Sequence, residues 1–171
     1  MKLVRFAVLS IAILFLLVTA IGLLFPSTVR VSRAVDVTAS DSVVRAHVLA
    51  LQAWPTWLVL STDSTQIPRF EKATPQLLQM GSTEARFVAK TDTSITVQWT
   101  GKNNPGMLST LTLYHSNMAT KTVVWQFQEE LAWYPWERFG SMVYDKVLGG
   151  MMELSLQKCK QNCEAQNQVN L

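Results

Sequence analysis

Few side chains in this sequence could do chemistry. Its only histidines are His47 and His115, and its only cysteines are Cys159 and Cys163. A hydrolytic nucleophile needs a base within hydrogen-bond reach and a third group to orient that base. His47 stands three residues after Val44 on an apolar helical face, the place of a half-buried structural histidine. His115 falls in Tyr114-His115-Ser116-Asn117, a polar run at a strand end. Cys159 and Cys163 are spaced i,i+4 with no histidine or further cysteine close in sequence, which does not make a metal site. They read as two incidental thiols, or as a disulfide across one helical turn in an oxidising compartment. The sequence has no phosphate-cradling glycine loop, His-Glu-x-x-His or dinucleotide fingerprint. No catalytic residue, metal ligand or cofactor site is assigned.

The elements that would position a site are clearer. Val29, Val31, Val35 and Val37 alternate with polar residues, the period of a strand with one buried face, and Arg33 falls on the apolar phase. Ser40 or Asp41 can cap a helix carrying Val44, Val48 and Leu51. Trp54-Pro55-Thr56-Trp57 ends that helix and opens a second short one. Residues 61–83 hold two prolines and many turn formers, and no strand is predicted there. Further half-buried strands follow: Glu84–Lys90 around Phe87, then Ile95-Val97-Trp99, Leu111-Leu113 and Val123-Trp125-Phe127, with a loop at 101–106. From Trp136 the period becomes 3.6. Trp136, Phe139, Val143, Val147, Met151 and Leu154 predict the apolar stripe of one long helix, with Glu137, Asp145, Lys146 and Glu153 mostly off it. Gly149-Gly150 interrupts it, each glycine costing about 1 kcal/mol relative to alanine.

Between Arg5 and Arg30 there is no charge. Phe6 to Phe25 is interrupted only by Ser10, Thr19 and Gly22, and at about 1.5 Å per residue it reaches roughly 30 Å, a bilayer's hydrocarbon thickness. Pro26 stops the helix. A cleaved signal peptide is the alternative, but cleavage after Ala20 would leave Ile-Gly-Leu-Leu-Phe exposed. Lys2 and Arg5 before the span nearly balance Arg30 and Arg33 after it. The short head favours a cytoplasmic N-terminus and a single-pass protein with its domain outside, periplasmic if bacterial. Beyond the anchor, 13 Lys and Arg face 12 Asp and Glu with no basic run, so nucleic acid has no electrostatic footprint. The predicted organisation is an anchor at 1–26, one domain at 27–161 and a frayed polar tail at 162–171. Three aromatics around Pro135, in Trp133-Tyr134-Pro135-Trp136, suit either a membrane interface or helix-start packing.

A strand, two short helices, a run of antiparallel strands and a long C-terminal helix resemble the SRPBCC superfamily, in its START-related polyketide cyclase/dehydrase and lipid-transport branch. The likeness rests on TVRVSRAVDVTASDSVVRAHVLALQAWPTW, on ITVQWTG, and on the final strand and helix with Asp-x-x-Leu-Gly inside it. Ser155 stands where many members have a second helix glycine, and 61–83 lacks the glycine-rich strand pattern. The resemblance implies an α+β helix-grip fold: a curved antiparallel sheet wrapped around the long C-terminal helix, with two short helices after the first strand, preceded here by one transmembrane helix. It implies a ligand cavity lined by Arg33, Trp57, Trp99, Leu111, Leu113, Trp125 and Phe127, facing Val143, Val147, Gly150 and Met151. It also makes the first and last strands neighbours, so Arg33 and Glu129 could pair inside. Arg33 would then orient a ligand's head or form a structural ion pair, unless a bulge turns it to solvent. The expected function is membrane-tethered binding of a hydrophobic or amphipathic, lipid-like small molecule, with the bilayer held through residues 6–25. A cyclase or hydrolase using the same cavity, or an interaction module for a membrane partner, are the alternatives.

Overall fold

The computed structural model describes residues 2–24, 26–60, 69–101, 104–115, 120–140 and 144–169. Alternation of valines with polar residues makes β1 (Thr28–Val37) a one-sided strand, and Val31 and Val37 are buried while Arg30, Ser32, Ala34 and Asp36 face water. Its partner is the last strand, β7 (Lys121–Glu130), antiparallel from Thr28↔Glu130 to Val37↔Lys121. β6 (Asn104–His115), β5 (Ser94–Gly101) and β4 (Thr83–Lys90) follow as a meander. Two strands not predicted, β3 (Leu77–Met80) and β2 (Lys72–Ala73), complete a seven-stranded curved antiparallel sheet ordered β1-β7-β6-β5-β4-β3-β2. Residues 61–68 and 116–119, within two of the segments read above, lie outside the described residues.

α1 (Lys2–Leu23) is long and apolar enough to cross a membrane, and only Gly22 of it is buried. α2 (Asp41–Val48) starts after Ser40, whose side chain makes no capping bond and meets Ser42 Oγ instead. A 3-10 helix, Leu51–Thr56, follows as the second short helix. The last carbonyls of α2 have no partner within the helix. Here the indoles serve: Trp54 Nε1 donates to Val48 O at 3.0 Å and Trp57 Nε1 to His47 O at 3.1 Å.

The long C-terminal helix is described in two stretches, α3 (Pro135–Gly140) and α4 (Tyr144–Val169), and residues 141–143 between them lie outside the described residues. Its predicted stripe is about one residue out of phase. Val147 is 60 % exposed, Leu154 43 % and Trp136 62 %, while Met152, Ser155, Leu156, Cys159 and Cys163 are buried. One residue is about 100° of helix rotation, enough to carry Val147 off the sheet. The true stripe uses small residues, and cysteine behaves as a compact buried hydrophobe. Val143 and the side chain of Phe139 lie outside the described residues. The tail at 162–171 is not frayed up to Val169: Glu164 accepts from Thr38 N–H and Asn167 from Ser40 N–H, both at 3.0 Å, docking the helix end on the β1–α2 junction.

Arg33 keeps the inner phase, so no bulge turns it out. Its expected partner is wrong, because the register sets Arg33 opposite Trp125 and Glu129 opposite Val29. Arg33 reaches α4 instead, with Nε 2.7 Å from Glu153 and Nη2 2.9 Å from Asp145. The hydrogen bonds it donates to Glu153 and Asp145 raise its pKa further. Asp145, Gly149 and Glu153 are spaced i,i+4,i+8 on one face, and the guanidinium lies across the glycine between the carboxylates. A Cβ at Gly149 would sit 2.2 Å from Arg33 Nη2. Gly149→Ala gains about 1 kcal/mol of helix propensity and loses two partly exposed ion pairs of about 0–1 kcal/mol each. Thermal denaturation should therefore find it within about 1 kcal/mol of the parent. A much larger loss would mean that this clamp matters more than exposed pairs do.

Candidate functional site

The inner face of the sheet meets α4 and the 3-10 helix in an aromatic core. Trp54, Trp57 and Trp125 are fully buried and Trp99 is nearly so. Trp54 lies 5.4 Å from Trp57, 6.2 Å from Trp99 and 6.2 Å from Trp125, while Trp125 lies 5.1 Å from Phe127. Leu111 and Leu113 are buried beside them. Trp99 Nε1 donates to the buried Ser109 Oγ at 2.8 Å. The residues expected to line a cavity thus come together as packing partners. Gly150 and Met151 are half-buried, and Val147 does not join the group at all. A gap bordered by Val29, Val31, Met107, Phe127, Glu129 and Leu148 is too small for one water-sized sphere.

Ser155 closes the same space. Its Oγ accepts from Val59 N–H at 2.9 Å and faces Val59 O and Met151 O at 3.2 and 2.8 Å, tying the segment after the 3-10 helix to α4. A glycine there would leave the Val59 N–H without this acceptor.

A ligand-sized concavity lies elsewhere, where α2 meets the 3-10 helix over β4 and β5. It holds about 420 Å³ and is lined by Leu49, Ala50, Leu51, Gln52, Pro75, Gln76, Phe87, Lys90 and Ile95. Its geometry depends on a break in β4: the register shifts between Phe87 and Ala89, so that Phe87 pairs Val97 and Lys90 pairs Ile95. Without that extra residue Lys90 would occupy the outer phase. With it, an ammonium stands at the edge of an apolar groove, and Lys90 forms no ion pair among the described residues. None of the groove residues was a sequence-predicted site residue, and a two-residue alternation could not have found Lys90.

The chemical candidates are engaged elsewhere. His47 Nδ1 lies 3.0 Å from Val43 O on its own helix. His115 Nε2 meets Asp41 Oδ1 at 3.1 Å, and Asp41 also accepts from Arg45, which donates to the Asp92 carbonyl. Burial pushes the Asp41 carboxyl up, but Arg45 and His115 outweigh it and hold it below its ordinary range. The cluster ties α2 to the β6 end and the β4–β5 turn. Cys159 and Cys163 are free and buried, and a hydrogen bond with Cys163 together with burial holds the Cys159 thiol well above its usual value. Such a thiol is unreactive. No group of three potential metal-ligating side chains occurs among the described residues.

No family model and no curated protein matches the sequence. Solved structures do match. The Zhui aromatase/cyclase from Streptomyces sp. R1128 is 9 % identical with a TM-score of 0.57, over 80 % of this chain and 94 % of that one. A START superfamily protein from Mycobacterium smegmatis is 16 % identical with a TM-score of 0.52, over 83 % and 99 %. The fold is the helix grip. A third helix-grip match, truncated norcoclaurine synthase from Thalictrum flavum, is 11 % identical with a TM-score of 0.58, over 78 % of this chain and 92 % of that one. At such identities the likeness carries the helix grip and not its chemistry. Among the described residues, four tryptophans pack together between the sheet and α4, and a concavity of about 420 Å³ lies beside them.

Proposed function

We propose that this chain is a membrane-tethered binder of an amphipathic small molecule, anchored by α1 and taking its ligand in the Leu51–Phe87–Lys90 groove. The groove itself is the observation that carries this reading. Its volume lies in the range of small-molecule sites, and its lining pairs apolar side chains with a few polar groups, Gln52, Gln76 and the Lys90 ammonium. An apolar body would gain about 25 cal/mol per Å² buried, and an anionic head would meet Lys90. The shared fold with proteins named as aromatase/cyclase and START superfamily members favours a small-molecule ligand. The same reading has the domain on the outer side of the membrane, periplasmic in a bacterium.

The test is displacement of a dansylated C11 fatty acid from the chain beginning at Ser27. Lys90→Glu should weaken uptake roughly tenfold, about 1.4 kcal/mol. Ala50→Trp should abolish it by filling the groove, and both variants should keep the parent's melting temperature. Uptake that neither variant changes would move the site elsewhere. The packed tryptophan interior favours a second reading, an interaction module for a membrane partner, and absence of all uptake would leave that reading in place.

A further inference from the structure

The turn between β7 and α3 carries an exposed aromatic slab. Trp133, Tyr134 and Trp136 are 54 %, 36 % and 62 % exposed. Their rings follow one another, Trp133 tilted 36° against Tyr134 at a centroid distance of 4.7 Å and Tyr134 stacked on Trp136 at 4.9 Å. A contiguous exposed apolar patch of this kind marks an interaction surface. The turn that carries it is held in place: Ala132 N–H donates to Glu137 Oε2 at 2.8 Å, and Arg138 Nε donates to Ala132 O at 3.2 Å.

The sheet decides where this slab stands. Because β7 runs antiparallel to β1 with Thr28 opposite Glu130, β7 ends where the anchor enters the domain. Leu131 N–H donates to Ser27 O at 2.8 Å, tying the turn to the linker itself. α3 packs against α1, and a Cβ on Gly22 would come within 3.3 Å of Pro135 Cα. Gly22 lies one residue before the end of α1 at Leu23, and three before Phe25, where the apolar run of the sequence ends. Whatever covers the last turn of α1 therefore sits at the depth where hydrocarbon gives way to headgroups.

We propose that Trp133, Tyr134 and Trp136 form a second membrane contact, lying in the headgroup layer beside α1 and holding the β1 start and β7 end against the bilayer. The proposal rests on reading α1 as a membrane span. Tryptophan and tyrosine suit that layer because each joins an apolar ring to a polar tip. A tether of Pro26-Ser27 alone would let the domain swivel, and a second contact fixes which face it presents.

The experiment uses the full chain in phosphatidylcholine vesicles, with and without acyl chains brominated near the headgroup, where bromine quenches tryptophan at contact. The chain has six tryptophans and α1 has none. Trp54, Trp57, Trp99 and Trp125 are buried in the core, so quenching reports on Trp133 and Trp136. The expected result is a loss of emission with bromolipid that the Trp133→Phe/Trp136→Phe variant largely abolishes at an unchanged melting temperature. Should the double variant unfold, each single variant should remove part of the loss. A carbonate wash of the same vesicles reads α1 separately. Retention through carbonate with no quenching overturns the second contact and leaves the span standing, and cross-linking of the unquenched rings to a protein would make the slab a protein interface. Release by carbonate overturns both.

Discussion

Trp54→Ala is expected to remove much of the domain's stability. Trp54 has no exposed surface, packs against three other tryptophans and donates to the Val48 carbonyl. Tryptophan-to-alanine changes in a core cost about 3–5 kcal/mol, and the aromatic geometry adds about 0.5–1.5 kcal/mol per favourable pair. Domains have only about 5–15 kcal/mol to lose. For a domain of this size the melting temperature should fall by about 10–20 °C. Trp136→Ala provides the comparison, since that side chain is 62 % exposed and should move stability by no more than about 0.5 kcal/mol. Similar melting temperatures for the two variants would mean that the interior is not packed as described.

Leu156→Asp should unfold the domain, and Val147→Asp should not. Leu156 is 1 % exposed on the face of α4 turned to the sheet, so aspartate there buries a carboxylate without a cation and forfeits the leucine's own packing. Each of those losses amounts to about 2 kcal/mol or more. Val147 is 60 % exposed, and aspartate in the first turns of a helix interacts favourably with its N-terminal dipole. Circular dichroism and chemical denaturation read both variants. A folded Leu156→Asp beside an unfolded Val147→Asp would restore the phase that the apolar spacing alone suggests.

That reversal shows where the sequence was legible. β1 and β5 to β7 were readable because valine, isoleucine, leucine and aromatic residues alternate with polar ones and a period of two fixes the buried face, whereas β4 was readable only as a strand around Phe87. β2 and β3, of two and four residues, have too little length for alternation; β3 exists through pairing with β4, and β2 through pairing with β3. The phase of α4 was misread because its buried face is built from Gly149, Met152, Ser155, Leu156, Cys159 and Cys163, most of them small or polar, whereas Val147 and Leu154 look like core and are not. Arg33 was rightly placed on the inner phase, but Asp145 and Glu153 resemble an ordinary solvated helix face until Gly149 brings Arg33 between them. The groove was hidden for another reason. A single irregularity between Phe87 and Ala89 decides which way Lys90 faces, and bulges leave no mark in hydropathy. The aromatic run before α3 was visible, and its position beside the anchor follows from the pairing of the first and last strands.

The proposed groove borders the tryptophan core. Trp54 and Trp57 come from the segment that forms one wall, so the residues filling the centre position Leu49 to Gln52 against β4 and β5. The proposed ligand would then sit at the edge of that core. The direct measurement is a nuclear magnetic resonance titration of the isotopically labelled chain from Ser27 with an alkyl carboxylate. The account predicts shift changes concentrated at Leu49–Gln52, Gln76, Phe87, Lys90 and Ile95, with little movement at Leu111, Trp125 or Met152. Shifts centred on Trp125, Phe127 and Met152 would place the ligand under α4 and contradict the account.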